Sequence, residues 1–600
     1  MVNICGPWSG GLLRSYVCFL TTGAVWVASA AVQAQGVPEQ ANPVPSLGED
    51  ALEAIGDPSP RAAPVLEPMI PEIEAEPQLD LEALAESDAP AASDAPTLCV
   101  RDFEVVGSTV FSNLQLAQLV RKTLAQIDAP ACLQGQQLTF PQMLQVRSAV
   151  TDLYLQQGYL TSGAIIPADT PFENGVVVIQ VVEGGLEDIR VQGTRRLRPS
   201  YIQSRLGLAA AAPLNRQDLL TGLQLLQLDP LIETVRADLQ AGVRPGRNLL
   251  VVEVAEADSF EISVFANNNR SPSVGSLRRG ITVQEGNLLG VGDALSLSYV
   301  NTGGSDEFRG SYILPVSPRG TTLEAAVNVS DSDVIEDPFE VLEIASEANT
   351  YRLTLQHPLV NTPRHRTDIG LSLFRQYGQT ELGLDDIGPF PLSAGADDQG
   401  RTVVSALRFF QTWTRRDTQQ VVALRSQFSL GLGGFLNGTV NDNEPDSRFF
   451  AWQGQAQWVR RLGRDALFLL RGTAQLTGGD LLSVERLGAG GQATVRGYRQ
   501  EELLTDSGLQ LSAEARFPVL RSAAASGVLQ VAPFVDFAHG WNAGGSSPDA
   551  NTLVGAGLGL IWQQPNLGAR LDWGVPLVDN FDSGDSLQEN GLYFSINYSL

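Results

Sequence analysis

From about Asp258 to Leu600 the chain alternates apolar and polar residues with a period of two. In "NLGARLDWGV", Leu567, Ala569, Leu571, Trp573 and Val575 fall on one face, and Gly568, Arg570, Asp572 and Gly574 on the other. "GLQLSAEARF" sets Gln510, Ser512, Glu514 and Arg516 opposite Leu509, Leu511, Ala513 and Phe517. The closing "LYFSINYSL" is apolar at Leu592, Phe594, Ile596, Tyr598 and Leu600. Successive side chains of a strand point to opposite faces, so each segment has one lipid-compatible face and one wet face. The pattern predicts a transmembrane β-barrel over residues 258–600, of about sixteen antiparallel strands of near ten residues. They start near residues 259, 279, 291, 307, 320, 350, 366, 401, 419, 449, 464, 508, 529, 552, 566 and 590. The alternative is a large soluble all-β domain, against which stand the lack of a blade-length repeat and alternation that runs to the last residue.

Ahead of this region the period is helical. "SNLQLAQLVRKTLAQI" puts Leu116, Leu119, Val120 and Leu124 on one face, and Ser112 with Gln115 fits a capping box. "FPQMLQVRSAVTDLYLQQG" does the same with Met143, Val146, Val150, Leu153 and Tyr154, and Gly158 ends it. With the strands "VRDFEVVG", "GAIIP" and "GVVVIQVVEG" the order is β-α-α-β-β. "LEDIRVQG", "RPSYIQSRLGL", "LNRQDLLTGLQLLQL", "IETVRADLQAG" and "NLLVVEVAE" repeat it. Two α+β units in tandem are expected, over 98–184 and 185–257.

Residues 1–34 read as a signal peptide: Arg14, an apolar run "SYVCFLTTGAVWVASAAV", and "VQA" before Gln35. An N-terminal membrane anchor is the alternative, and polar "QAQ" rather than a basic flank follows the run. Cys5 and Cys18 fall inside this segment. Cys99 and Cys132 remain, and two cysteines in an exported chain suggest one disulfide, with two unpaired buried thiols as the alternative. Residues 35–97 are rich in Pro, Ala and Glu with Arg61 as the lone cation, and read as a disordered acidic linker in which "DLEALAE" has the length for a helical turn or two.

The formal net charge of −27 argues against a nucleic-acid partner. His357, His365 and His539 are scattered, and no H-E-x-x-H, C-x-x-C, G-x-S-x-G or Walker motif occurs. The expectation is therefore no enzyme, no metal and no cofactor.

Between candidate strands eleven and twelve a long loop, 477–507, carries "GAGGQATVRGYRQEELL". Folded into a barrel, Arg496 would need a carboxylate, because a buried unpaired charge is costly. Candidate strand thirteen, "LQVAPFVDFAHGW", offers Asp536 beside Phe534 on the face opposite Leu529, Val531, Val535 and Phe537; Glu514 is the second candidate.

These features together resemble the outer-membrane transporters of two-partner secretion, of the haemolysin-activator and filamentous-haemagglutinin-transporter type, within the POTRA-plus-barrel superfamily. The resemblance covers about Leu98 to Leu600. It implies two periplasmic POTRA domains before a sixteen-stranded barrel. It also implies an inward sixth extracellular loop tipped by V-R-G-[YF], here Val495, Arg496, Gly497 and Tyr498, whose arginine pairs with Asp536. "YLQQGYLTSGAIIP" and "VVEGGLEDIRVQG" resemble the end of the first POTRA and its junction with the second. Cys99 and Cys132 resemble a cysteine pair of the first POTRA. The proline-rich acidic segment departs from the family, which carries a plug helix there. The implied function is a monomeric pore in outer-membrane lipid that captures an unfolded, exported partner protein and secretes it. The alternatives are an insertase that assembles other barrels, whose relatives more often carry three or more POTRA units, and a passive porin or structural envelope protein, which has no need of tandem α+β units.

Overall fold

A computed structural model describes residues 96–600 apart from 169–174, 245, 385–386, 443–444, 464–465, 523–525, 545–546, 549 and 579–585. Ahead of residue 96 it describes the two-residue strand pieces Cys18–Phe19, Val25–Trp26 and Leu79–Asp80. Most of the expected signal peptide and most of the linker therefore lie outside the described residues.

The first α+β unit contains strand Asp102–Val106, helices Asn113–Leu124 and Phe140–Gln156, and strands Gly163–Ile165 and Val176–Val182. Val176–Val182 is central, parallel to Asp102–Val106 and antiparallel to Gly163–Ile165. Both helices start in capping boxes, Ser112 with Gln115 and Thr139 with Gln142. Leu116, Val120, Met143, Val146, Val150 and Tyr154 close on Phe103, Val177, Ile179 and Val181, while Leu119, Leu124 and Leu153 pack at the rim. A second sheet was not legible in the pattern, because its strands are too short to alternate: Thr97–Val100, Gly135–Thr139 and Ala131–Cys132. Its outer strands carry Cys99 and Cys132, joined by a disulfide with Cα atoms 6.0 Å apart.

The second unit repeats the plan with Gly185–Gln192, helices Pro199–Ala209 and Arg216–Gln227, and strands Ile232–Ala241 and Arg247–Glu256. Arg247–Glu256 is central, parallel to the first strand and antiparallel to Ile232–Ala241. The repeat extends to one polar device. After the first strand of each unit the chain turns through a glycine, Gly107 or Gly193, and a carboxylate at the end of the last strand receives the next free amides. Glu183 accepts from Thr109 N at 2.7 Å and Val110 N at 3.1 Å; Glu256 accepts from Arg196 N and Leu197 N at 3.0 Å. Burial pushes both carboxyls up, but the hydrogen bonds outweigh it and hold them below the usual range.

From Phe260 onward sixteen long strands form a closed antiparallel barrel. In order they are Phe260–Asn267, Arg278–Glu285, Ala294–Asn301, Ser305–Pro315, Thr322–Asp333, Ile344–Asn361, His365–Leu382 and Arg401–Arg416. There follow Gln420–Gly431, Phe450–Arg461, Leu467–Thr477, Ser507–Ser522, Gly527–Trp541, Thr552–Gln564, Leu567–Pro576 and Leu592–Ser599. The sixteenth closes on the first through pairs from Ser263↔Ser599 to Asn267↔Ser595. The alternation is real: Leu571, Trp573 and Ile596 point outward and exposed, whereas Arg570, Asp572 and Ser595 point inward and are buried. Closure satisfies every strand edge, and an apolar outer face matches lipid.

Strand length differs from the ten-residue expectation. Strands six and seven each run 18 residues, whereas roughly 9–11 tilted residues cross a bilayer. Their ladder continues beyond the hydrocarbon, where both faces are wet and the apolar alternation has no reason to persist.

Candidate functional site

The segment between strands eleven and twelve folds on itself before it meets the wall. Leu487–Ala489 pairs with Leu503–Thr505 as a short stalk. Two ion pairs fix its root: half-buried Arg486 Nε to buried Asp506 at 3.0 Å, and the buried pair Arg408 Nη2 to Glu485 at 2.8 Å. Gln475 Nε2 on strand eleven donates to the carbonyls of Glu485 and Asp506, and Gln510 Nε2 on strand twelve donates to that of Gly488.

The tip, Val495 to Tyr498, is buried. Arg496 grips Asp536 with both arms of its fork, Nε to Oδ2 at 2.7 Å and Nη2 to Oδ1 at 2.8 Å, and its own amide adds a third bond to Oδ2 at 3.1 Å. Nη1 donates to Glu514 at 2.7 Å. The guanidinium lies 3.4 Å from the centroid of Phe534. A planar bidentate cation over an aromatic face is the arrangement arginine makes and lysine does not. The structure thus brings both candidate carboxylates to Arg496 at once, Asp536 from strand thirteen and Glu514 from strand twelve. Among the described residues no other ion pair reaches Asp536.

The seat extends beyond Asp536 and Glu514. Arg570 on strand fifteen bonds Glu514 and Asp572, each at 2.7 Å, and Arg516 bonds Glu514 at 2.8 Å. Gln492 of the loop donates to Asp572 at 2.8 Å. Tyr593 on strand sixteen holds the tip at two points: its hydroxyl accepts from Gly497 N at 2.9 Å and donates to Tyr498 O at 2.6 Å. Further along, Arg499 pairs with Glu336 at 2.9 Å and Glu589 at 3.3 Å, and Gln500 N donates to Gln588 at 2.7 Å.

Backbone makes room for this contact. A Cβ at Gly555 of strand fourteen would stand 1.9 Å from Arg496 O, and one at Gly574 of strand fifteen 2.6 Å from Gly497 N. Gly497 itself has φ 106, a conformation that favours glycine. Of the alternating glycines of "GAGLG", Gly555 makes room for the loop tip, while Gly557 and Gly559 abut wall residues, Trp573 O and Asp572 among them.

Arg570, Asp572 and Tyr593 were visible as wet-face residues of their strands. No spacing rule, however, tells which lumen position meets a loop from elsewhere in the chain. Among the described residues no group of acids, histidines and cysteines is placed to hold a metal.

Tandem β-α-α-β-β units followed by a closed sixteen-stranded barrel, with a long loop pinned inside by charge, define an outer-membrane transporter of the POTRA-plus-barrel class. The chain belongs to the haemolysin secretion/activation protein family ShlB/FhaC/HecB, whose profile matches residues 246–561, and residues 98–184 match the ShlB-type POTRA domain. It is similar to the outer membrane transporter CdiB of Escherichia coli O6:K15:H31 (strain 536 / UPEC), at 25% identity over 78% of this chain and 79% of the relative. CdiB of Dickeya dadantii (strain 3937) is 21% identical over 73% of this chain and 77% of its own length. The solved structure of CdiB from Escherichia coli superposes with a TM-score of 0.63 at 21% identity, covering 86% of this chain and 93% of that one. CdiB from Acinetobacter baumannii gives 0.57 at 18% identity, covering 88% and 94%. The barrel sits in the outer membrane and the POTRA domains in the periplasm.

Proposed function

We propose that this transporter captures one exported, unfolded partner protein in the periplasm and passes it through the barrel lumen to the cell surface. The observation that carries the reading is the Arg496 seat. A loop from the outer side is drawn into the lumen and held there by a buried bidentate pair, a device suited to a pore with closed and conducting states. The POTRA sheets supply edge strands to which an extended chain adds by main-chain bonding, with little demand on its sequence. The barrel acts as a monomer in outer-membrane lipid, and transport proceeds without covalent chemistry or a nucleotide. The test is quantitative proteomics of a deletion strain against its parent. Loss of one or a few large secreted proteins, with the outer membrane unchanged, is expected. A broad fall in barrel proteins would show an assembly factor instead.

A further inference from the structure

The chain leaves strand nine after Gly431 at the outer rim, the side from which the loop 477–507 also comes. It does not rise straight into the medium. Leu432 N donates to Ser405 O at 2.8 Å and Thr439 N to Val403 O at 2.9 Å, so the turn between them is bonded at both ends to strand eight. Arg375 Nη1 on strand seven donates to Leu436 O at 2.6 Å and to Ser405 Oγ at 3.1 Å.

Register places this turn on the outside of the barrel. Arg375 is the partner of Tyr351 on strand six and of Ser405 on strand eight, all three on the outer face. The next outward row toward the periplasm is Leu353, Leu373, Leu407, Leu430 and Phe450, one from each of strands six to ten. Leu353, Leu373, Leu430 and Phe450 are exposed. Farther out, Glu347, Gln379 and Arg401 make a polar row. Toward the periplasm the apolar band ends at Trp413, the partner of Thr367. Strand seven runs nine residues from Thr367 to Arg375, and roughly 9–11 tilted residues cross a bilayer. Arg375 and Tyr351 therefore mark the outer headgroup level, where aromatic rings and long cationic side chains are favoured. Ser405, on this outer face, is nonetheless buried where the turn crosses it.

The turn presents Phe435 and Leu436, 60% and 56% exposed. Leu436 and Asn437 have φ 55 and 60, and among the described residues no other adjacent non-glycine residues are both left-handed. Gly438 keeps the turn tight, since a Cβ there would stand 2.0 Å from Gly433 O. Leucine avoids this conformation, and such local strain gathers where a side chain has work to do.

We propose that Phe435 and Leu436 are a membrane anchor inserted among the outer-leaflet lipids, with Arg375 clamping the turn at headgroup depth. Continuity with the leucine row selects lipid as the occupant. On its return to strand ten the same connection meets the inward loop: Asp446 forms a backbone bridge to Leu481, and Phe449 and Ala451 pack with Leu482 and Val484. One end of the connection thus lies at the lipid surface and the other on the root of the loop.

The test uses the full chain from Gln35 in vesicles of phosphatidylethanolamine and phosphatidylglycerol; its cysteines, Cys99 and Cys132, are joined. A nitroxide is placed at Phe435→Cys, at Leu430→Cys on the lipid face, and at Asp398→Cys, an exposed position between strands seven and eight. Heat-modifiable mobility shows each barrel folded. Collision rates with oxygen, which concentrates in lipid, and with a water-soluble nickel chelate give a ratio for each site. The ratio at 435 should approach that at 430 and stand several-fold above that at 398; a ratio equal to that at 398 would overturn the inference. Arg375→Ala should lower the ratio at 435 and leave that at 430 unchanged, and an unchanged ratio at 435 would overturn the clamp. In secreting cells a photoreactive residue at Phe435 should give no adduct to the secreted partner. Such adducts would overturn the inference and show an exit docking face for that partner instead.

Discussion

Replacing Arg496 by alanine removes two charge-assisted bonds to Asp536, one to Glu514 and the stacked contact with Phe534. The cost does not fall evenly. Glu514 keeps Arg570 and Arg516, whereas Asp536 keeps the amide of residue 496, at 3.1 Å, from this loop. Breaking a buried pair from one side costs about 3–5 kcal/mol, because the remaining charge stays desolvated. The retained amide bond to Asp536 places the loss at the lower end. About 3 kcal/mol corresponds to roughly a hundredfold shift toward the unseated loop. The assay is maleimide labelling of Ala493→Cys, a half-buried loop position, in outer-membrane vesicles; Cys99 and Cys132 are joined and silent. Labelling should rise steeply in the Arg496→Ala background, while heat-modifiable mobility shows the barrel intact. Asp536→Asn added to Arg496→Ala should recover much of the seating, since a neutral amide is cheaper to bury than a lone carboxylate. Unchanged labelling in Arg496→Ala, or no recovery in the double variant, would refute the reasoning.

Gly555→Ala puts a methyl 1.9 Å from Arg496 O and should unseat the tip as effectively as removing the charge, read by the same labelling. Tyr593→Phe strands Gly497 N, whereas Tyr498 O keeps Gly491 N at 3.0 Å; the unsatisfied amide costs about 1–3 kcal/mol and should raise labelling with the ion pair untouched. Loss of the 33-residue disulfide loop in Cys99→Ala/Cys132→Ala should cost about 3–4 kcal/mol, seen as faster proteolysis of the POTRA region. The folded pKa values of Glu183 and Glu256 lie below the ordinary 4.5, so their stabilisation is present above that pH and is lost as pH falls through the folded values. Glu183→Gln should flatten the acid limb of POTRA unfolding followed by hydrogen exchange.

The barrel was legible because lipid on one side and water on the other impose a two-residue period on every crossing strand; the predicted start at 401 coincides with Arg401, and 419 falls one residue before Gln420. The POTRA repeat was legible because each helix carries its apolar stripe on one face. Asp536 was legible because its strand alternates cleanly and a buried arginine requires an acid. Arg570, Asp572 and Tyr593 were not, since their role depends on where a loop from another part of the chain comes to rest.

The most direct test of the central claim is site-specific photo-crosslinking during secretion. A photoreactive residue at Gln427, buried and facing the lumen, is compared with one at Leu430, exposed on the lipid face of the same strand. The account predicts adducts to the secreted partner from Gln427 and none from Leu430. Adducts from Leu430 with none from Gln427 would show that the partner does not pass through the barrel, and would contradict the account.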